Sequence, residues 1–146
     1  MGNNTISIGN AGEYFVAGEL ERRGFTCGVP MSNSKDFDIL AVSRNTLKQY
    51  AIQVKTVSGN KQSWLLSKKN EDLTGSNIFY VFVSLNNLDA PEYHVVPSRI
   101  VARSIKERHQ SWLAKSGRNG QPHKDTAMRE FSDPDNKYLD QWDYLK

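Results

Sequence analysis

The chain has 146 residues, 38% hydrophobic and 24% charged, with a formal net charge of +3 and one cysteine. That length suffices for one domain with its own core. The composition excludes a disordered chain, a disulfide-stapled scaffold and a helical membrane protein, because nothing approaches the run of about 20 apolar residues that a bilayer demands.

Cys27 alone allows no internal disulfide, and Met1 to Thr5 lacks the basic start of a signal peptide, so a cytoplasmic protein is expected. Asn10 is suited to cap a first helix from Ala11 to about Arg23, which Gly24 ends. Val16, Ala17 and Leu20 form its apolar stripe, and Glu13 falls on that stripe. Such a carboxylate is costly to bury unless it meets a cation or a metal. The alternative is a first-turn acid favoured by the helix dipole and still wet. Glu19 and Glu21 point elsewhere and are placed to pair with Arg22 or Arg23. A short strand over 25–29 follows, with Cys27 read as a small core residue, and then a loop over 30–35.

Residues 36–42 and 50–56 read as two strands joined through Arg44, Asn45 and Thr46 as a hairpin. Side chains alternate along a strand, so Gln53 and Lys55 share one face while Ile52 and Val54 take the other. An amide and an ammonium beside Asp38 of the neighbouring strand offer oxygen ligands for a cation and a fixed positive charge for a phosphate ester. Asp36 is a second ligand candidate or a loop acid paired with Lys35.

Residues 58–61 form a turn, 63–66 a strand, and 67–73 a short exposed helix. Residues 78–83 are the most continuously apolar run, as expected of a strand buried on both faces. One more strand at 93–96 precedes a helix from about Arg99 to Leu113, a polar loop over 114–125, and a last helix from about Asn136 to Leu145. This order predicts an α/β fold, a single mixed β-sheet flanked by helices, in one domain over 1–146. Its core spans about 8–97 and a helical C-terminal part about 98–146. Arg99, Arg103, Lys106, Arg108, Lys115, Arg118, Lys124 and Arg129 crowd a stretch opposed only by Glu107 and Asp125. That stretch is either a phosphate-binding surface or a solvated face. Trp64 is read as core rather than as a base-stacking platform, and His94, His109 and His123 as surface or capping residues.

Taken together, three segments resemble the PD-(D/E)XK nuclease superfamily over roughly the first 85 residues. They are Gly9 to Ala17 with Glu13, the strand opened by Asp38, and the strand bearing Gln53-Val54-Lys55. The resemblance implies a restriction-endonuclease-like core of order αβββαβ with C-terminal helices, and a metal-dependent endonuclease. Glu13, Asp38 and Gln53 would hold Mg²⁺, with Mn²⁺ as a substitute, and Lys55 would assist the attacking water. Gln53 departs from the usual Glu or Asp, as in nucleases resembling the Mrr group. Mg²⁺ needs only one or two carboxylates, so the amide weakens such a site without abolishing it. Lys61, Lys68 and Lys69 are candidate contacts to a nucleic-acid backbone, or a generic solvated face. The resemblance favours DNA over RNA, admits a homodimer cutting one strand per subunit, and implies no membrane partner. The competing reading is a catalytically inactive nuclease-fold module that binds nucleic acid or a protein partner, including toxin or immunity roles; Gln53 is its best support.

Overall fold

A computed structural model describes residues 4–30 and 37–146. Helix α1 (Thr5–Arg22) leads into β1 (Phe25–Gly28), β2 (Ile39–Ser43), β3 (Gln49–Val57) and β4 (Ser63–Ser67). A 3-10 turn (Lys68–Glu71), β5 (Ile78–Ser84), β6 (Glu92–Pro97), α2 (Ser98–Ala114), β7 (Met128–Ser132) and a final 3-10 turn (Trp142–Tyr144) complete the chain. The expected mixed sheet has five strands in the order β1-β2-β3-β5-β6. β3 and β5 run parallel, and the other neighbours are antiparallel. β4 and β7 form a separate antiparallel ribbon.

Each face of the sheet is covered by one helix. Val16 and Leu20 of α1 pack on Ile39, Tyr50, Ile52, Val54 and Val81. Val101 and Ile105 of α2, with Trp64 and Phe131 from the ribbon, cover Tyr80, Phe82 and Val96. Strand β5 feeds both cores, which is why its sequence is apolar without alternation. Burial of each such side chain contributes about 1.5–3 kcal/mol. Trp64 is in the core, as expected; its indole N–H donates to the Val83 carbonyl at 2.9 Å.

Several elements differ from expectation. Helix α1 begins at Thr5 rather than Ala11, capped by Asn4, whose Oδ1 accepts the Ile6 N–H at 2.9 Å. Tertiary packing of its inner face overrides the poor propensity of Gly9 and Asn10. Glu13 therefore lies in mid-helix, and the reading of it as a first-turn acid is wrong. The crossover from β3 to β5 is made by β4 and the 3-10 turn, not by an α-helix. Strand β7 was not expected, because its inward positions carry Arg129 as well as Phe131 and the apolar alternation is hidden. The Arg129 guanidinium is buried but matched, pairing with Glu71 and donating to the Thr126 and Met128 carbonyls.

The helix expected over 136–145 does not form. Pro134 precedes it, and Asn136 and Asp140 take φ of 55° and 52°. This segment instead runs along the outer edge of β6. The Val95 N–H donates to the Tyr138 carbonyl at 2.9 Å, and the Asp140 N–H donates to the Tyr93 carbonyl at 2.8 Å. Tyr138, Trp142 and Leu145 are buried, but from turns. At the other edge, the Cys27 N–H donates to Glu21 and the Phe25 carbonyl accepts from Arg44. Both sheet edges are thus blunted against strand addition.

His94 is neither surface nor cap. It is fully buried, with Nδ1 2.7 Å from Asp133 Oδ2 and its ring against Trp64. His109 pairs with Asp125, and His123 bonds the Trp112 carbonyl and stacks on its ring. The basic stretch is not one continuous cationic surface, since Arg129 is buried and Arg108 pairs with Glu130 at 2.8 Å. The Cys27 thiol is pushed up to about 11 by burial and by Glu21, so it stays protonated and unreactive at neutral pH.

Candidate active site

The site begins with a mismatch in strand length. β2 pairs with β3 only where residues 39–42 face residues 49–52, whereas β3 continues to Val57 against β5. From Gln53 onward the β2-side edge of β3 has no strand partner among the described residues, and the sheet forks there. Asp38 stands at the mouth of that fork. Its N–H donates to the Ile52 carbonyl at 2.9 Å, and its Oδ2 accepts the Val54 N–H at 2.8 Å. The carboxylate thereby satisfies a backbone donor that a longer β2 would have paired, and the charged acceptor makes the bond a strong one.

Glu13 reaches the same place from above. Helix α1 crosses β3 so closely that a Cβ on Gly12 would lie 1.8 Å from Thr56 Oγ1. Glu13, the next residue, is half-buried. Its carboxyl is raised above its ordinary range, first by burial and second by the negative charge of Asp38. Among the described residues neither acid forms an ion pair. Asp38 lies near enough for its charge to act on Glu13, and no ion pair among the described residues relieves that repulsion.

Gln53 and Lys55 share a face, as alternation requires. Ile52 and Val54 belong to the α1-side core and Val57 packs on the α2 side, so Gln53 and Lys55 leave the sheet on the side away from α1. They and Glu13 therefore come from opposite faces of the sheet. Gln53 is 8% exposed. Lys55 is half-exposed and forms no hydrogen bond or ion pair among the described residues. It lines a groove of about 570 Å³ with Thr5 and Gly9 of α1 and Ser58, Asn60 and Lys61 of the β3–β4 turn; among the described residues no carboxylate lines that groove, Glu13 and Asp38 included. Lys68 and Lys69 are exposed at the far end of β4, about 16 Å of strand away, and do not join the fork. Asp36 lies outside the described residues.

No group of three His, Cys, Asp or Glu suited to a metal gathers among the described residues. The fork offers two carboxylates and an amide oxygen instead. A hard divalent cation that binds through one or two carboxylates and retains water fits that donor set, and its charge would relieve the repulsion between Glu13 and Asp38. Two contributors went unnoticed in the sequence. One is the Val54 N–H, a backbone group that no side-chain motif reveals. The other is Gly12, for which a glycine inside a helix was the available signal.

No protein-family model and no curated protein sequence matches the chain. Solved structures do. The Hjc Holliday junction resolvase of Archaeoglobus fulgidus superposes with a TM-score of 0.51 at 13% identity, covering 86% of this chain and 84% of that one. The bacterial homing endonuclease I-Ssp6803I gives 0.54 at 11% identity, covering 97% and 91%. Both are PD-(D/E)XK-type nucleases. At these identities the likeness establishes the fold, a restriction-endonuclease-like α/β architecture, and the expectation drawn from three short segments holds at that level.

Proposed function

We propose that this chain, which has the fold of the PD-(D/E)XK nucleases, is a metal-dependent endonuclease hydrolysing phosphodiester bonds in DNA. The observation that carries the reading is the pair Glu13 and Asp38, which form no ion pair among the described residues, with a lysine two residues past the amide of Gln53 that has none there either. Acids near the core elsewhere have side-chain partners, as Glu71 pairs with Arg129 and Asp133 is hydrogen-bonded to the His94 ring. Among the described residues Glu13 has no such partner, although burial and the charge of Asp38 make its ionised state costly. A structural role does not explain that cost, whereas a cation site does.

In this reading Asp38 and Glu13 supply the anionic attraction for Mg²⁺, Gln53 adds a neutral oxygen, and Mn²⁺ serves in its place. The bound ion supplies Lewis-acid stabilisation of the scissile phosphate and a more acidic water. The protein's own part is to hold these oxygens in place: the Val54 N–H fixes one oxygen of Asp38, and burial fixes Gln53. Lys55 brings a positive charge on a flexible stem to the phosphate oxygens, where charge grows as water attacks phosphorus and the ester oxygen departs. Lys61, in the same acid-free groove, contacts the adjoining backbone. One 146-residue domain acting in the cytoplasm completes the proposal. A homodimer would have to use a surface other than the two covered sheet edges.

A second reading, an inactive nuclease-fold module, is favoured by one observation: the third oxygen is a neutral, nearly buried amide. One experiment separates them. The purified chain, Asp38→Ala and Lys55→Ala are incubated with supercoiled plasmid and with single-stranded DNA and RNA in Mg²⁺ and in Mn²⁺. Cleavage by the wild type that both substitutions abolish supports the nuclease. DNA binding without cleavage under every condition supports the module.

A further inference from the structure

We infer that Gly12 and Thr56 form a spacer that sets α1 at the height above β3 needed to bring Glu13 beside Asp38, making Gly12 a positioning residue for the proposed metal site. Three glycines interrupt the α1 sequence, and they are not equivalent. A Cβ on Gly9 or Gly18 would meet nothing within 4 Å, but one on Gly12 would lie 1.8 Å from Thr56 Oγ1 and 2.9 Å from both Cβ and Cγ2 of that residue. Gly12 does not take a positive φ, so backbone freedom does not explain it; close approach does.

Rotation relieves the clash only in part. Turning the threonine about χ1 can replace Oγ1 by Cγ2 or by hydrogen, but its Cβ stays 2.9 Å away, where the strand puts it. The strand cannot yield either, since Thr56 sits opposite Val83 within the β3–β5 ladder. The Thr56 hydroxyl is buried without a hydrogen-bond partner among the described residues, so the contact is a steric seat rather than a polar tether. With any larger residue at position 12 the helix must withdraw, by roughly 1.5 Å to regain ordinary carbon contact. Glu13 withdraws with it. Asp38 does not, because the Val54 N–H ties it to β3 only two residues before Thr56. Both acids are thus gauged from one strand, one by a hydrogen bond and the other by a missing side chain.

The inference rests on the proposed metal site, and its test keeps the two apart. Mn²⁺ affinity is measured by electron paramagnetic resonance on the full chain, beside plasmid cleavage and metal-free DNA binding. Gly12→Ala is expected to weaken Mn²⁺ binding at least tenfold and to lower kcat by roughly 10²-fold, the scale of a displacement near 1 Å, while metal-free DNA binding stays as in the wild type. Adding Thr56→Gly, which removes all three clashing atoms, should return Mn²⁺ affinity to within about threefold, a rescue that lost helix stability alone would not give. Gly18→Ala, facing open space, should bind Mn²⁺ as the wild type does. Should Gly12→Ala fail to fold, Thr56→Leu enlarges the seat from the strand side and should weaken Mn²⁺ similarly, whereas the isosteric Thr56→Val should not. Unchanged Mn²⁺ affinity in folded Gly12→Ala, or in Thr56→Leu, overturns the spacer and leaves the metal site standing. A wild-type chain that binds no Mn²⁺ overturns the site and the positioning role together.

Discussion

The two sides of the central sheet treat buried charge in opposite ways. On the α2 and ribbon side, Arg129 meets Glu71, His94 meets Asp133, and the Asn70 amide donates to the Tyr80 hydroxyl at 2.9 Å. Asp133 also accepts the backbone N–H groups of Lys137 and Tyr138 at 2.9 Å. At the fork, neither Glu13 nor Asp38 forms an ion pair among the described residues, and Asp38 accepts one backbone N–H, that of Val54. Matched charges hold a fold in one arrangement; unmatched ones hold a place for something that carries the missing charge. On the proposed function, the ribbon side is architecture and the fork is where the chemistry takes place.

The sharpest break in that comparison is expected from Asp38→Asn. It keeps the side-chain shape and an acceptor for the Val54 N–H but removes the charge, so cleavage should fall by about 10³-fold with little change in melting temperature. Normal cleavage rates from that variant would remove the fork from the mechanism. On the other side of the sheet, Arg129→Met leaves Glu71 buried and unpaired, and urea unfolding should show a loss of about 3–5 kcal/mol. The specific activity of the folded fraction should stay at the wild-type value; a large drop would mean that the two sides are not separate.

Gln53→Glu asks whether the fork is short of one charge. It should tighten Mg²⁺ binding by about tenfold, since affinity in such sites follows ligand charge count, and calorimetry would show it. Weaker binding in that variant would instead favour the inactive module.

The pH dependence has a definite sign. Because Glu13 is raised in the folded chain, the native state holds a proton that the unfolded chain has released across the window between the ordinary value of 4.5 and the raised one. Metal-free stability should therefore fall as pH rises through that window. Glu13→Gln should remove the decline and melt higher than the wild type at pH 7. Mg²⁺ should raise the wild-type melting temperature more than that of the variant. A variant melting at or below the wild type at pH 7 would show that the acid pair is not strained.

The smallest effect separates the lysines. Lys61→Ala should reduce the salt slope of DNA binding by about 1, as for one phosphate contact. Lys68→Ala with Lys69→Ala should change it less, because those residues stand at the other end of β4. Equal slopes would return all three to the status of a solvated face.

Much of the fold was written locally. Alternation along residues 50–56, the unbroken apolar run of β5 and the polar turn at 58–61 specify strands and their faces without reference to the rest of the chain. So does the shared face of Gln53 and Lys55. Three elements were not local. Strand β7 hides behind an inward arginine whose partner is 58 residues away, the tail gives up a helix to satisfy the edge of β6, and α1 gains six residues before Ala11 from its packed face.

By itself the sequence determined which residue types are available to a site, namely two acids, an amide and a lysine, and on which face of its own element each one lies, because side-chain periodicity is a property of a single strand or helix. Only the tertiary structure decided that Asp38 comes near enough for its charge to act on Glu13. That outcome depends on where β2 stops along β3 and on how closely α1 seats against Thr56, and both are lengths measured between segments distant along the chain. No periodicity within either segment encodes such a length.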